Sequence, residues 1–251
     1  MRRRLSVYGD RIVGRIVKWL LHALRRTNPD RAADLCGAIA RGVGPWLPAH
    51  RIGRENLRAA YPDRDKAWIE TTLRGAWDNL GRVAGEYVHL ARLWDYDPDH
   101  PNAGRIVTDQ EQMFSDLLHD GKPALCFAAH LGNWELPAVA AAALERGEHL
   151  GMLVDQHFSR GVDVTFFGRR CRANPTVARL ARQFDCPVVG VRVIRLPNRR
   201  FHILAEGPFA LPRDAAGAVD VKATTQMITD VVERWVREHP EQWLWFHRRW
   251  R

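Results

Sequence analysis

The sequence predicts an α/β fold, with a central mixed sheet flanked by helices and a helical N-terminal third. Before residue 120 the apolar residues recur at helical spacing. From about residue 123, strand-like apolar runs alternate with helical segments. The chain has 251 residues, of which 46% are hydrophobic, so it is long enough to bury a sizeable core as one domain.

The first element is a predicted basic amphipathic helix over residues 10–26. Apolar side chains share one face and basic side chains the other, a pattern typical of helices that lie in the plane of an anionic membrane. The alternative is an ordinary helix packed on its own domain. The apolar face holds Ile12, Ile16, Trp19, Leu20 and Ala23, and the polar face holds Arg11, Arg15, Lys18, His22 and Arg25.

The charge of the chain is concentrated in this segment. Residues 1–26 carry eight basic residues and one acidic residue, Asp10, which accounts for +7 of the total +9. The rest of the chain is close to neutral and fits poorly with a broad nucleic-acid footprint. We therefore expect an anionic membrane surface as a partner and no nucleic acid. No apolar stretch reaches the roughly 18 residues needed to span a bilayer.

The following elements are predicted from local patterns. Helices are expected over 30–43 and 64–92, with a loop over 44–50. Strands are expected at 123–130 and 149–155, with a helix over 133–146 between them. Asn174 should cap a helix that opens with Pro175. A hairpin turning near Pro197 and Asn198 should join strands 186–194 and 199–207, before a helix over 222–238.

The tryptophan-rich end of the chain has two interpretations. Aromatic and basic residues that alternate could stack on nucleic acid bases. The spacing of seven between Trp243 and Trp250 instead favours one packed helical face in the core. The four cysteines are scattered without a C-x-x-C pair, and no metal or nucleotide site is visible, so we expect no cofactor.

The segment AAHLGNWELPA carries the most informative chemistry. A buried strand leads into His130, Gly132 follows, and Glu135 stands on the first turn of a helix. This turn can bring the carboxylate back to the imidazole, where it would fix the tautomer and raise the basicity of the other ring nitrogen. Such a pair could deprotonate a hydroxyl. The alternative is a solvated pair without function, but the position at a strand-to-helix switch favours a site.

Several separated blocks in addition to HLGNWE resemble one family. They are GRENLRAAYP at 53–62, VDQ at 154–156, VTFFGRRCRANPTVARLAR at 164–182 and HPEQWLWFHRRW at 239–250. In this order they resemble the bacterial lipid A biosynthesis lauroyl/myristoyl acyltransferases, which share a His-x-x-x-x-Asp/Glu motif. The charge pattern predicts a membrane-surface helix at 1–26. The resemblance implies an acyltransferase domain at 27–251 and a peripheral or monotopic location at the cytoplasmic face of the inner membrane.

The resemblance also implies roles for individual residues. His130 would be the general base and Glu135 its orienting partner. The acyl donor would be an acyl carrier protein thioester, and the acceptor a hydroxyl of a lipid A precursor or related glycolipid. Substrate-binding positions would be Asp155, Gln156, Phe167, Gly168, Arg169 and Arg170. For Asp155 a loop-capping carboxylate, and for the arginines a merely solvated face, remain open alternatives to substrate or phosphate binding.

One departure from the family pattern lies after Glu135. LPAVAAAALERGEHLGMLVDQ leads almost at once to the next strand, as if an internal block were missing at the alanine run. The short link still permits a strand–helix–strand crossover that places His130 and Asp155 at one sheet edge. We expect a formed His130–Glu135 pair in an open groove and weak or absent transfer. The alternatives are a catalytically impaired membrane-associated homologue, a thioesterase or another lipid acyltransferase.

Overall fold

The computed structural model describes residues 14–15, 18–19, 21–97, 99–100, 103–119, 121–136 and 149–250. Its mixed sheet, parallel strands and helical N-terminal part confirm the predicted α/β class. In the first segment the described residues 14–15, 18–19 and 21–25 are helical. The predicted positions of Ile12, Ile16 and Leu20 lie outside the described residues.

The N-terminal third is formed by α1 (Pro29–Val43), α2 (Pro48–Ala60), α3 (Lys66–Glu86) and the short α4 (Leu90–Leu93). The side chain of Asn28 caps α1 by accepting from the backbone N–H groups of Asp30 and Arg31. Small residues let α1 and α3 approach closely. A Cβ at Gly81 would lie 2.3 Å from the carbonyl oxygen of Cys36, so only glycine fits there.

The predicted loop over 44–50 is wrong in its second half. Gly44–Trp46 is a short 3-10 helix, and α2 begins at Pro48. Proline suits the first position of a helix because its missing N–H would have no partner within that helix. The same proline makes the segment resemble a turn, which is why the helix was missed.

The sheet has the strand order β1-β7-β6-β2-β3. Strand β6 (Val188–Arg195) is central, and β2 (Leu125–Ala128) lies between it and the edge strand β3 (Leu150–Leu153), parallel to both. Strand β7 (Phe201–Glu206) pairs antiparallel with β6, and β1 (Ile106–Val107) runs parallel to β7. The predicted hairpin is thus confirmed, with a 3-10 turn at Pro197–Arg199.

A second, two-stranded sheet joins β4 (Val162–Phe166) to β5 (Arg169–Ala173) through a tight turn at Phe167 and Gly168, both with positive φ. The remaining helices are α5 (Glu111–His119), α6 (Thr176–Phe184) and α7 (Val221–Glu238). The Asn174 side chain accepts from the N–H of Thr176, as predicted for a capping residue, but α6 begins at Thr176, one residue after the predicted Pro175. In the core, Trp235 of α7 stacks on Phe127 of β2, with 5.5 Å between ring centroids.

The tryptophan-rich segment packs into the fold, but its described residues 243–250 are not helical. After a 3-10 turn at Pro240–Gln242, residues 243–250 form turns and extended backbone. Trp243 and Trp245 are core residues, 1% and 0% exposed, which confirms packing as their role. The predicted helical face was wrong because each indole is placed by its own hydrogen bond and not by a helical repeat.

Candidate active site

The sheet register brings His130 and Asp155 together. In the parallel pair β2–β3, Ala128 lies opposite Leu153. His130 and Asp155 each follow two residues after these positions, so both leave the same end of neighbouring strands. The carboxyl ends of parallel strands are where open α/β sheets place their ligands. The prediction that the two residues share one sheet edge is confirmed.

Asp155 is held by three hydrogen bonds. Its Oδ1 lies 2.7 Å from Nδ1 of His130, while its Oδ2 accepts from the backbone N–H of His130 at 3.0 Å. Oδ2 also accepts from the indole N–H of Trp243 at 2.7 Å. The Asp155 side chain is fully buried. This aspartate therefore fixes both the position and the tautomer of the imidazole, because Nδ1 carries the proton that it binds.

Burial and charge act in opposite directions on this pair. Burial lowers the pKa of His130, but the hydrogen bond and charge of Asp155, with a smaller effect from the charge of Glu135, raise it above its ordinary value of 6.5. Burial likewise raises the pKa of Asp155. Hydrogen bonds and charge from His130 outweigh that effect and hold the pKa of Asp155 at about 2. Asp155 is thus a carboxylate at neutral pH, and His130 is a strengthened base.

The predicted hydrogen bond between His130 and Glu135 is absent from the bonds made by the described part of the chain. Asp155, at Nδ1, is the orienting carboxylate in place of Glu135. Glu135 lies in a turn with its backbone N–H donating to Oδ1 of Asn133, and its half-buried carboxylate acts on His130 only through charge. The prediction failed because the register between β2 and β3 places Asp155 against the imidazole. The five-residue spacing from His130 to Glu135 contains no information about that register.

Gln156 lies on the other side of the ring. Its side-chain nitrogen is 3.2 Å from Nε2 of His130, and the residue is exposed. Because Nδ1 carries the proton shared with Asp155, Nε2 is the acceptor, and the Gln156 amide donates to it. A substrate hydroxyl would need this same acceptor nitrogen. The predicted placement of Gln156 beside the reacting group agrees with this geometry.

The end of the chain holds the motif loop in place. The N–H of Gly132 donates to the carbonyl of Gln242, and the N–H of Leu244 donates to the carbonyl of His130. Gly132 has φ +57, and a Cβ there would meet the carbonyl oxygen of Val193 at 2.0 Å, so glycine is required. The strand-to-helix turn after His130 is therefore fixed by residues more than 100 positions away in sequence.

A buried ion pair also holds the loop that contains Gly132 and Asn133. Arg195 binds both carboxylate oxygens of Glu86, at 2.6 and 2.9 Å. Glu86 also accepts from the side-chain amide of Asn133 at 2.7 Å. Asn79 completes the network by donating to the carbonyl oxygens of Gly132 and Gln242. The middle of HLGNWE is thus anchored to α3 and β6.

The remaining predicted substrate positions lie on the β4–β5 turn. Phe167 is only 6% exposed and packs on Tyr61, with 5.2 Å between ring centroids, and beneath the Arg237 guanidinium. The ring of Phe167 is therefore packed among core side chains, and its contact with substrate stays a prediction. Gly168, Arg169 and Arg170 are exposed. Arg169 lies over the ring of Trp250, and Arg170 makes a long ion pair of 3.8 Å with Asp163.

Sequence reasoning missed Trp243, Asn79 and Glu86 as parts of the site. A signal existed for Trp243, because it belongs to the C-terminal block that resembles the family. Asn79 and Glu86 carried none, since a polar residue in an amphipathic helix is ordinary. The proposed junction at the alanine run, with most of the predicted helix over 133–146, lies outside the described residues.

Comparison with known families gives one result. A family described as bacterial lipid A biosynthesis acyltransferase matches residues 3–142 and residues 139–251. The two matched stretches meet at 139–142, within the alanine run that follows the motif. A search of curated proteins found no match. Among the described residues, no helix has the length and apolar character needed to cross a bilayer.

Proposed function

Because the chain belongs to the bacterial lipid A biosynthesis acyltransferase family, it is an acyltransferase, and we propose that it moves a fatty acyl group from an acyl carrier protein thioester to a hydroxyl of a lipid A precursor or related glycolipid. The observation that carries this proposal is the 2.7 Å bond between His130 and Asp155 at the ends of parallel strands. It leaves Nε2 of His130 as a base beside the exposed Gln156.

The proposed reaction starts with proton transfer. The acceptor hydroxyl takes the place of the Gln156 amide at Nε2, and His130 removes its proton as the oxygen attacks the thioester carbonyl. The buried carboxylate of Asp155 stabilises the imidazolium that forms. Collapse of the tetrahedral intermediate breaks the carbon–sulfur bond. The imidazolium returns its proton to the leaving thiolate, so the products are an ester and a free thiol.

Glu135 takes a supporting role in this proposal. It makes no hydrogen bond to His130 in the described part of the chain, yet its charge raises the basicity of the imidazole. A hydrogen bond that is absent without substrate can form in the complex, because catalytic groups often tighten only when substrate binds. We therefore keep Glu135 as a second acidic group of the site, after Asp155.

Cationic side chains for the acceptor are available on the β4–β5 turn. Arg169 and Arg170 are exposed, and guanidinium groups bind phosphate through paired hydrogen bonds. Phosphate groups are typical of lipid A precursors. We assign these two arginines, with Gly168 allowing close approach of the turn, to acceptor binding.

For location, the proposal places the chain at the cytoplasmic face of the inner membrane. Residues 1–26 would form a basic helix at the anionic surface, and residues 27–251 the acyltransferase domain. The support is the charge of +7 in the first 26 residues, together with the helical conformation of those that the structure describes.

The test is a product assay by mass spectrometry. Purified full-length chain is incubated with acyl carrier protein loaded with one fatty acid and with a tetra-acylated lipid A precursor in mixed micelles. The proposal expects an acceptor heavier by one acyl group, and no such product from His130→Gln. Free fatty acid in place of acylated lipid would show a thioesterase. Absence of both products, with a folded chain, would identify an impaired homologue.

A further inference from the structure

The outer face of α1 carries an apolar ridge that no part of the described chain covers. Leu35, Ile39 and Val43 follow one another at intervals of four on one side of the helix and are 57%, 54% and 52% exposed. Trp46, in the 3-10 turn that follows, is 87% exposed, and Leu47 is 43% exposed. We call these five residues the apolar ridge. Contiguous exposed apolar surface of this kind marks interaction sites in soluble domains.

The fold does not require the apolar ridge. α1 packs on α3 through its other face, where Ala32, Ala33 and Gly37 are buried. That inner contact is made by small residues in close approach, as at Gly81. Polar side chains at Leu35, Ile39 and Val43 would leave the packing between α1 and α3 unchanged. The large apolar side chains outside therefore need an explanation beyond stability.

Charge around the apolar ridge indicates an anionic occupant. Arg31 is exposed on α1, four residues before Leu35, and Arg41 and Arg51 are also exposed on α1 and α2. Arg41 and Arg51 each pair with a carboxylate, as do Arg82 and Arg199. Together with Arg31 they outnumber the three carboxylates Asp34, Asp78 and Glu55, so positive charge is in excess around these helices. A second copy of this chain, docked face to face, would bring these arginines against their own copies. An anionic bilayer would instead meet apolar residues with a basic rim, as membrane-surface helices present them.

The segment before α1 also combines exposed apolar side chains with basic residues. Trp19 and Leu21 are 68% and 41% exposed and belong to the basic N-terminal segment. Exposed tryptophan is favoured at the level of lipid headgroups, because its ring is apolar and its N–H remains hydrated. Trp19, before α1, and Trp46, after it, are thus two exposed tryptophans suited to that level.

We propose that the apolar ridge is a membrane-docking surface, inserted into the boundary between headgroups and acyl chains of an anionic bilayer. It would act beside the N-terminal helix, since stable peripheral anchoring usually takes two signals. The inference rests on the proposed function in one respect: that function places the chain at an anionic membrane, and the apolar ridge is the surface that would contact it. Its test measures binding without acyl transfer, so a failed transferase assay leaves it unaffected.

The experiment uses the full-length chain and sedimentation with vesicles of phosphatidylglycerol and phosphatidylcholine. The variants are Ile39→Gln and Trp46→Ala. The matched control is Phe184→Ala, which removes another exposed aromatic ring, 62% exposed, at the end of α6. Each ridge variant should lower the partition coefficient about tenfold, and the control should not change it. Thermal unfolding of each variant checks that the fold is retained.

Equal vesicle binding by the ridge variants and the unsubstituted chain would overturn the proposal. A second overturning outcome is a concentration-dependent dimer in sedimentation velocity that Trp46→Ala dissociates while vesicle binding persists. That result would assign the apolar ridge to contact between copies of this chain. Loss of binding with Phe184→Ala to the same extent would also contradict a localised surface.

Discussion

Nδ1 of His130 lies 2.7 Å from Oδ1 of the buried Asp155, and the charge on that carboxylate makes the opposite ring nitrogen a stronger base. The pKa of His130 should therefore fall in Asp155→Asn. In Glu135→Gln it should fall less, because Glu135 acts on the ring only through charge. The measurement is an NMR titration of the His130 ring in each variant. A larger fall in Glu135→Gln would show that Glu135 is the main partner of the base.

The raised pKa of His130 also fixes the pH dependence of transfer. The base works only when neutral, so kcat/KM should rise with pH through the pKa of His130 in the free enzyme, with its midpoint above 6.5. In Asp155→Asn the midpoint should move to lower pH while the plateau falls by roughly 10²–10⁴, the usual scale for disabling a general base. His130→Ala should lose activity at every pH. Unchanged turnover by His130→Ala would refute the assignment of the base.

Trp243 is expected to position Asp155 without touching substrate. In Trp243→Phe, Oδ2 of Asp155 keeps only the backbone N–H of His130, so the carboxylate is less well held. We expect kcat to fall about tenfold with KM nearly unchanged, and the Nδ1–H resonance of His130 to move upfield. The matched control is Trp245→Phe, since Trp245 is equally buried but donates to the carbonyl of Pro240. Equal effects of the two variants on that resonance would indicate a general packing defect.

The basic N-terminal segment should contribute to vesicle binding through charge. Replacing Arg15 and Lys18 by glutamine should weaken binding to anionic vesicles about tenfold or more, since each basic residue near such a surface is worth about 1 kcal/mol. The loss should be smaller at 0.5 M salt, where screening already weakens the contribution of these residues. Co-sedimentation at low and high salt provides the measurement. Binding unaffected at low salt would exclude electrostatic docking by this segment.

Local patterns in the sequence were enough to predict much of the fold. Apolar runs predicted β2 and the β6–β7 hairpin, because a buried strand must be apolar whatever its neighbours. The apolar run at β3 also predicted a strand, although Leu150 and Leu153 are 47% and 40% exposed at the edge of the sheet. The start of α2 was not predicted, because Pro48 suits both a turn and the first position of a helix. The short strand at Ile106–Val107 was missed because two residues carry no periodicity.

The sequence was enough to predict His130 as the base of the site, but it did not predict that Asp155 is the carboxylate bound to it. His130 follows an apolar strand and precedes Gly132, and these two local features mark a strand end. The carboxylate that binds Nδ1 comes from Asp155 because Ala128 pairs with Leu153, and a register between strands 25 residues apart is a tertiary property. The contact of Trp243 with Asp155 spans 88 positions and depends on the path of the chain end.

The ion pair of Glu86 with Arg195 gives a prediction for both stability and the site. The Glu86 side chain is 4% exposed, so Glu86→Gln leaves the Arg195 guanidinium, itself only 15% exposed, without a compensating charge. Breaking a buried pair in this way typically costs about 3–5 kcal/mol of the free energy of unfolding, which urea denaturation measures. The control Glu206→Gln removes a carboxylate bound to Arg234 at a more open position and should cost less. Because Glu86 also holds Asn133, the His130 resonance should shift in Glu86→Gln and stay unchanged in Glu206→Gln. A stable Glu86→Gln protein with an unshifted His130 resonance would show that the Glu86–Arg195 pair does not hold the motif loop.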